Sequence, residues 1–226
     1  CEVTRDLWLC AALGVDAQVI WLWDPPWGAW GQMPNYMLQQ PLGLYAAGRA
    51  TLDIQRLMPE LHAVSRTEPQ VRFLFSMPGR VADFETFTRT TQAAYDAVSR
   101  TGVPLGFLTE DQVQRGDWRE TRLLVLAGVT HVEPATARTL ASFVKTGGNL
   151  LVVGPEAPRS IYEDPLPPGV KKVLNAAARL PLPEANGTPP FDVADFHRAM
   201  DNAGVSRPLR FRAADGHPDP DVFARW

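Results

Sequence analysis

The sequence predicts an α/β protein built on a wound parallel sheet of the flavodoxin-like kind, and three observations carry that prediction. Between residues 71 and 154 there are four short apolar runs, Val71–Ser76, Val103–Leu108, Leu123–Ala127 and Leu150–Gly154, with almost no polar alternation. Such runs belong to strands buried on both faces. They are separated by stretches with apolar residues at helical spacing, the order expected of a parallel sheet covered by helices on both sides. Glycines and prolines stand at the junctions between the two kinds of segment.

Each element of this region has its own signal. Phe84 to Ser99 carries apolar residues at 84, 87, 94, 95 and 98 and predicts an amphipathic helix ending at Gly102. Thr109-Glu110-Asp111-Gln112 has capping-box spacing and predicts a short helix after the second strand. Pro134 opens a helix with Ala137, Leu140, Ala141 and Val144 on one face, closed by Gly147-Gly148. Residues 155–169 hold five prolines and read as a surface connection, followed by a helix over Val170 to Leu180. Pro181 to Pro190 is a further loop, and Val193 to Ala203 a last helix closed by Gly204. Pro208 to Arg212 and Val222 to Trp226 read as two strands of a hairpin around Asp215-Gly216.

The first 66 residues are organised differently. An apolar helix ends near Gly14, and Ala17 to Trp23 is an almost continuous apolar run of strand length. Trp27 to Tyr36, rich in aromatics, Gly and Pro, reads as a long loop at the strand's C-terminal end, where α/β folds place sites. Thr51 then caps a helix running through Val64. The predicted domains are residues 1–66, 67–206 and 207–226, the last being the start of a β-rich domain. The chain reads as a fragment cut at both ends.

Composition excludes several functions. With 45% hydrophobic and 21% charged residues the chain can bury a sizeable core. Twenty-two Lys and Arg against 25 Asp and Glu give a net charge of −3, with no basic footprint for nucleic acid or an anionic membrane. No apolar run approaches the roughly 20 residues of a spanning helix, and the sequence reads as soluble. The two cysteines, Cys1 and Cys10, form neither a metal cluster nor a disulfide framework, and His62, His131, His197 and His217 lack metal-ligand spacing. Neither a dinucleotide fingerprint nor a phosphate loop occurs, so no cofactor and no metal are expected. Asp83, Glu85, Glu110, Asp111, Asp117 and Glu120 are expected on solvated helix faces or in connections.

Four of the seven tryptophans, Trp21, Trp23, Trp27 and Trp30, lie within ten positions. Indole faces stack on the apolar sides of sugar rings, which makes Trp23 and Trp21 candidate carbohydrate-binding residues. Alternate strand residues point opposite ways, so at least one of that pair packs inward. The wound sheet also serves glutamine amidotransferases, whose thiol nucleophile sits on a strand-to-helix elbow, but no cysteine follows position 10.

Gly14-Val15-Asp16-Ala17 and the run ending Trp21-Leu22-Trp23 resemble the last barrel strand of family 42 β-galactosidases, with Trp23 on that family's active-site tryptophan. Leu123 to Leu126 together with Pro134 to Val153, including the Gly147-Gly148 turn, resemble the family's trimerisation domain. The resemblance implies a class I glutamine amidotransferase-like wound domain preceded by the last strand and helices of a (β/α)8 barrel. It further implies a retaining glycosidase acting on a carbohydrate substrate and assembled as a homo-trimer. Its two catalytic carboxylates would precede Cys1, so no catalytic residue is assigned within the chain. The loop Trp27 to Tyr36 lacks the Glu and His with which the family often holds the sugar. The alternatives are a non-catalytic assembly or binding module with the same fold, and an amidotransferase-like enzyme.

Overall fold

A computed structural model describes residues 2–15, 17–20, 40–154, 156–182, 191–207 and 216. The described residues fall into two compact units, one up to Thr67 and one from Glu68 onward.

The first unit contains three helices, α1 (Glu2–Ala12), α2 (Pro41–Arg56) and α3 (Met58–Ser65). α1 ends as expected: Gly14 N–H bonds Ala11 O and Val15 N–H bonds Cys10 O. α2 begins ten residues before the expected cap, at Pro41, whose fixed φ and missing N–H suit a first helical position. Thr51 is therefore an exposed mid-helix residue and not an N-cap. The small residues Gly43, Ala47 and Ala50 form the buried face of α2, which packs on α1. Pro59 has no N–H for Gln55 O, and the helix breaks at Leu57, which closes α2 and opens α3. Residues 17–20, expected as the start of a strand, are irregular and mostly exposed. A strand exists only through a paired neighbour, and the described residues of this unit contain no strand to pair with.

The second unit is the predicted α/β fold. Its strands β1 (Val71–Phe75), β2 (Leu105–Thr109), β3 (Leu123–Ala127), β5 (Asn149–Val153) and β7 (Ala178–Leu180) are all parallel, in the order β2-β1-β3-β5-β7. Counted along this sheet the order is 2-1-3-4-5, the flavodoxin-like winding. Two further short strands, β4 (His131–Val132) and β6 (Arg159–Ser160), pair in parallel beside it. The lack of polar alternation has its explanation in two cores. Val71, Phe73, Val125 and Leu151 face Ala94 and Val98 of α5 (Phe84–Ser99) and Phe196 and Met200 of α9 (Val193–Asn202). Leu74, Leu124, Leu126 and Val152 face Leu140 and Phe143 of α7 (Pro134–Lys145) and Leu174 of α8 (Pro168–Asn175).

The turn after α7 needs both of its glycines. Gly147 has φ +98°, a left-handed conformation in which a Cβ is strained. A Cβ on Gly148 would lie 2.3 to 2.5 Å from the ring atoms of buried Phe143, which reaches across to Trp118 in an edge contact of 5.5 Å.

Two elements depart from the sequence reading. The helix expected over 170–180 ends at Asn175, and Ala178–Leu180 is the edge strand β7, with Gly154 N–H bonding Leu180 O. A short helix, α4 (Met77–Ala82), fills the connection after β1. The hairpin expected over 208–226 lies outside the described residues.

Candidate functional site

Trp21 and Trp23 lie outside the described residues. Ile20, which precedes them in sequence, lines a hollow of about 270 Å³ in the first unit together with Leu7, Ala11, Met58 and Leu61.

In the second unit the place to look is the carboxyl end of the sheet between β1 and β3, where the winding reverses and open α/β sheets bind ligands. β1 is followed directly by Ser76, which is fully buried and caps α4 by accepting the Gly79 N–H at 3.0 Å. The Ser76 hydroxyl has one proton for two acceptors, Glu110 Oε1 at 2.5 Å and the main-chain oxygen of His131 at 2.8 Å. Glu110 is the first residue of α6 (Glu110–Arg115), and its Oε2 accepts from Glu133 N–H at 2.9 Å and from the Thr136 hydroxyl at 2.7 Å. Gln114 completes the network, donating to Glu133 Oε2 at 2.8 Å and Thr136 Oγ1 at 2.9 Å. Residues from β1, α6, β4 and α7 are thereby joined through one buried carboxylate. Gly79 permits the close approach, since a Cβ there would sit 3.2 Å from Ser76 Oγ and 3.3 Å from His131 O.

Glu110 was expected on a solvated face and is instead 7% exposed. The missed signal is its position: it directly follows β2, the edge strand paired with β1, so the first residue of α6 falls beside the carboxyl end of β1. Thr109 and Gln112 form both bonds of the predicted capping box, which fixes where that first residue falls. Asp83, Glu85, Asp111, Asp117 and Glu120 are exposed, as expected. Asp83 caps α5, and its carboxyl is held below the usual range, first by the Thr86 backbone N–H and then by the Thr86 side chain.

Among the described residues, this bonded cluster of Ser76, Glu110 and Thr136 fills the crevice. A nucleophilic hydroxyl needs a base and an open approach. Ser76 lacks the approach, being fully buried; its one carboxylate neighbour, Glu110, is itself buried and bonded to Glu133 N–H and Thr136, and its contact with His131 is to the carbonyl and not to the ring. The His131 imidazole is directed to Thr130 Oγ1 at 3.0 Å and Glu163 Oε1 at 3.2 Å. Of the other histidines, His62 is exposed, His197 is half-buried and His217 lies outside the described residues. Among the described residues no group of three or more His, Cys, Asp or Glu could hold a metal ion, and no helix is long and apolar enough to cross a membrane.

No protein-family model matches the sequence, and no curated protein matches it. Solved structures are similar. The crystal structure of an apo exo-carrageenase of family GH42 from Bacteroides ovatus matches over 89% of this chain at 13% identity, with a TM-score of 0.65. A β-galactosidase from the psychrophilic Marinomonas ef1 matches over 55% of the chain at 19% identity, with a TM-score of 0.40. The chain spans 27% of the first of these and 21% of the second. At such identities the likeness to the exo-carrageenase establishes a shared fold.

Proposed function

We propose that this chain is the C-terminal part of a retaining glycoside hydrolase of β-galactosidase-like type. In this reading residues 1–66 end a (β/α)8 catalytic barrel and residues 67–206 form a domain that assembles the enzyme as a homo-trimer. Residues 207–226 begin a β domain. Trp23 and Trp21 line the sugar site of the parent, stacking on the apolar face of the substrate. The two carboxylates of the retaining reaction, about 5 Å apart, stand on barrel strands before Cys1.

The observation that carries the reading is the sealed crevice of the second unit. A wound sheet whose switch point is closed by Ser76, Glu110 and Thr136 supports a scaffold and speaks against a reaction centre of its own. The fold shared with a family GH42 enzyme over 89% of the chain supports placing that scaffold in a glycosidase. The sealed crevice also favours, as a second reading, a non-catalytic assembly module. Sedimentation of the parent separates assembly from its absence: a strictly monomeric parent contradicts both the trimer and the module.

The activity test uses aryl galactosides. The 226-residue chain alone is expected to give no turnover, since a barrel needs eight strands to hold its carboxylates and in this reading the chain brings no more than the last of them. The parent is expected to hydrolyse them with retention. Turnover by the chain alone overturns the assignment of catalysis to the preceding barrel.

A further inference from the structure

α2 buries its small residues and exposes its large ones. Gly43, Ala47 and Ala50 form the face that packs on α1, whereas Leu42, Tyr45 and Leu52 are 85%, 69% and 64% exposed. With Arg49 and Arg56, these three recur at alternating spacings of three and four, which draws one exposed stripe along the helix. The stripe lies about half a turn around α2 from the face on α1. Thr51 and Gln55, on a third side, line the hollow shared with Ile20. A helix with apolar residues on opposite faces is built to be covered on both.

A second copy of the stripe is a poor cover. Antiparallel pairing about its midpoint sets Arg49 against Arg49, and parallel pairing adds Arg56 against Arg56, like charges that oppose contact. The cover that fits is an amphipathic helix with apolar residues at matching spacing and a carboxylate. Arg56 already has Asp53 at 3.6 Å on its own helix, so that carboxylate belongs opposite Arg49. The barrel of the proposed function has a place for such a helix. Its helices form a ring outside the strands, so each has two neighbours. α1 is one neighbour of α2, and the other neighbour of the last helix in a closed ring is the first. This chain spans 27% of the exo-carrageenase that shares its fold, which leaves length for the rest of such a barrel.

We propose that the stripe of Leu42, Tyr45 and Leu52 is the seam that closes the barrel, covered by the barrel's first helix, which precedes Cys1 in the same chain and carries a carboxylate facing Arg49. The inference rests on the glycosidase reading for the existence of the barrel.

The test replaces Tyr45, and separately Leu52, with the photo-crosslinking residue p-benzoylphenylalanine in the intact parent and maps the adducts by mass spectrometry. Both positions are expected to join one helical segment near the start of the barrel in the same chain, holding an Asp or Glu. Tyr45→Ala is expected to lower the melting temperature of the parent by about 4 °C or more, and that of the 226-residue chain, where the stripe is bare, by less than about 2 °C. An adduct within residues 1–226, an adduct between two copies, no adduct, or equal losses in parent and chain would overturn the proposal. A parent that hydrolyses aryl galactosides and fails this test loses the seam alone, whereas one that forms the adduct without turnover loses the glycosidase reading alone. Without a reading frame upstream of Cys1, both fall.

Discussion

Ser76 Oγ lies 2.5 Å from Glu110 Oε1, joining the end of β1 to the start of α6 at the point where the sheet reverses direction. Truncating either partner leaves buried groups without a bond. Ser76→Ala strips the acceptor from Gly79 N–H and a donor from Glu110, at a cost of about 1–3 kcal/mol. Glu110→Ala also orphans Glu133 N–H and the Thr136 hydroxyl and should cost more, about 3 kcal/mol. Urea unfolding of both variants and the double variant should show coupling of about 0.5–3 kcal/mol. Strict additivity would remove the cluster from the scaffold.

Gly148→Ala pushes a methyl group into the Phe143 ring and is expected to lower stability by about 1–3 kcal/mol. Phe143→Leu costs stability alone, but in the Gly148→Ala background it should recover part of the loss by vacating the space. A thermal melt of the four proteins checks this, and independent effects would mean that the ring moves aside freely.

Much of this was legible because it is local. The capping box at Thr109 to Gln112 and the Pro134 to Gly148 helix and turn are set by residues within one or two helical turns, and all formed where expected. The continuous apolar runs located β1, β2, β3 and β5; for the three inside the sheet, β1, β3 and β5, burial on both faces leaves no other pattern. What failed depended on distant partners. Residues 17–20 have strand composition without a paired strand among the described residues, and Ala178–Leu180 became a strand only because β5 presents an open edge. Glu110 looks like any helix-opening acid until Thr136 and Glu133, more than twenty positions away, arrive to cover it. Pro59 hid the break between α2 and α3, since apolar spacing continues across it.

Asp83 carries the clearest pH dependence. Its carboxyl titrates below the ordinary aspartate range when folded, because the ionised form accepts the Thr86 N–H. The stabilisation is therefore present above the unfolded pKa and is lost as pH falls through the lower folded value. Asp83→Ala should cost about 1 kcal/mol at neutral pH through loss of the α5 cap. The difference from the parent chain should shrink below pH 3.8. Unfolding midpoints across that range measure it, and a difference independent of pH would mean that the cap does not depend on ionisation.

In the intact parent, Trp23→Ala should reduce kcat/KM by about tenfold or more through lost stacking on the sugar, without changing the melting temperature. An unchanged kcat/KM with a lowered melting temperature would make Trp23 a packing residue.

The coding sequence immediately upstream of Cys1 tests the central claim most directly. An open frame of roughly 300 residues is expected there, holding barrel strands and two strand-end carboxylates. An initiation codon just before Cys1, or a frame without those two carboxylates, would contradict the glycosidase assignment.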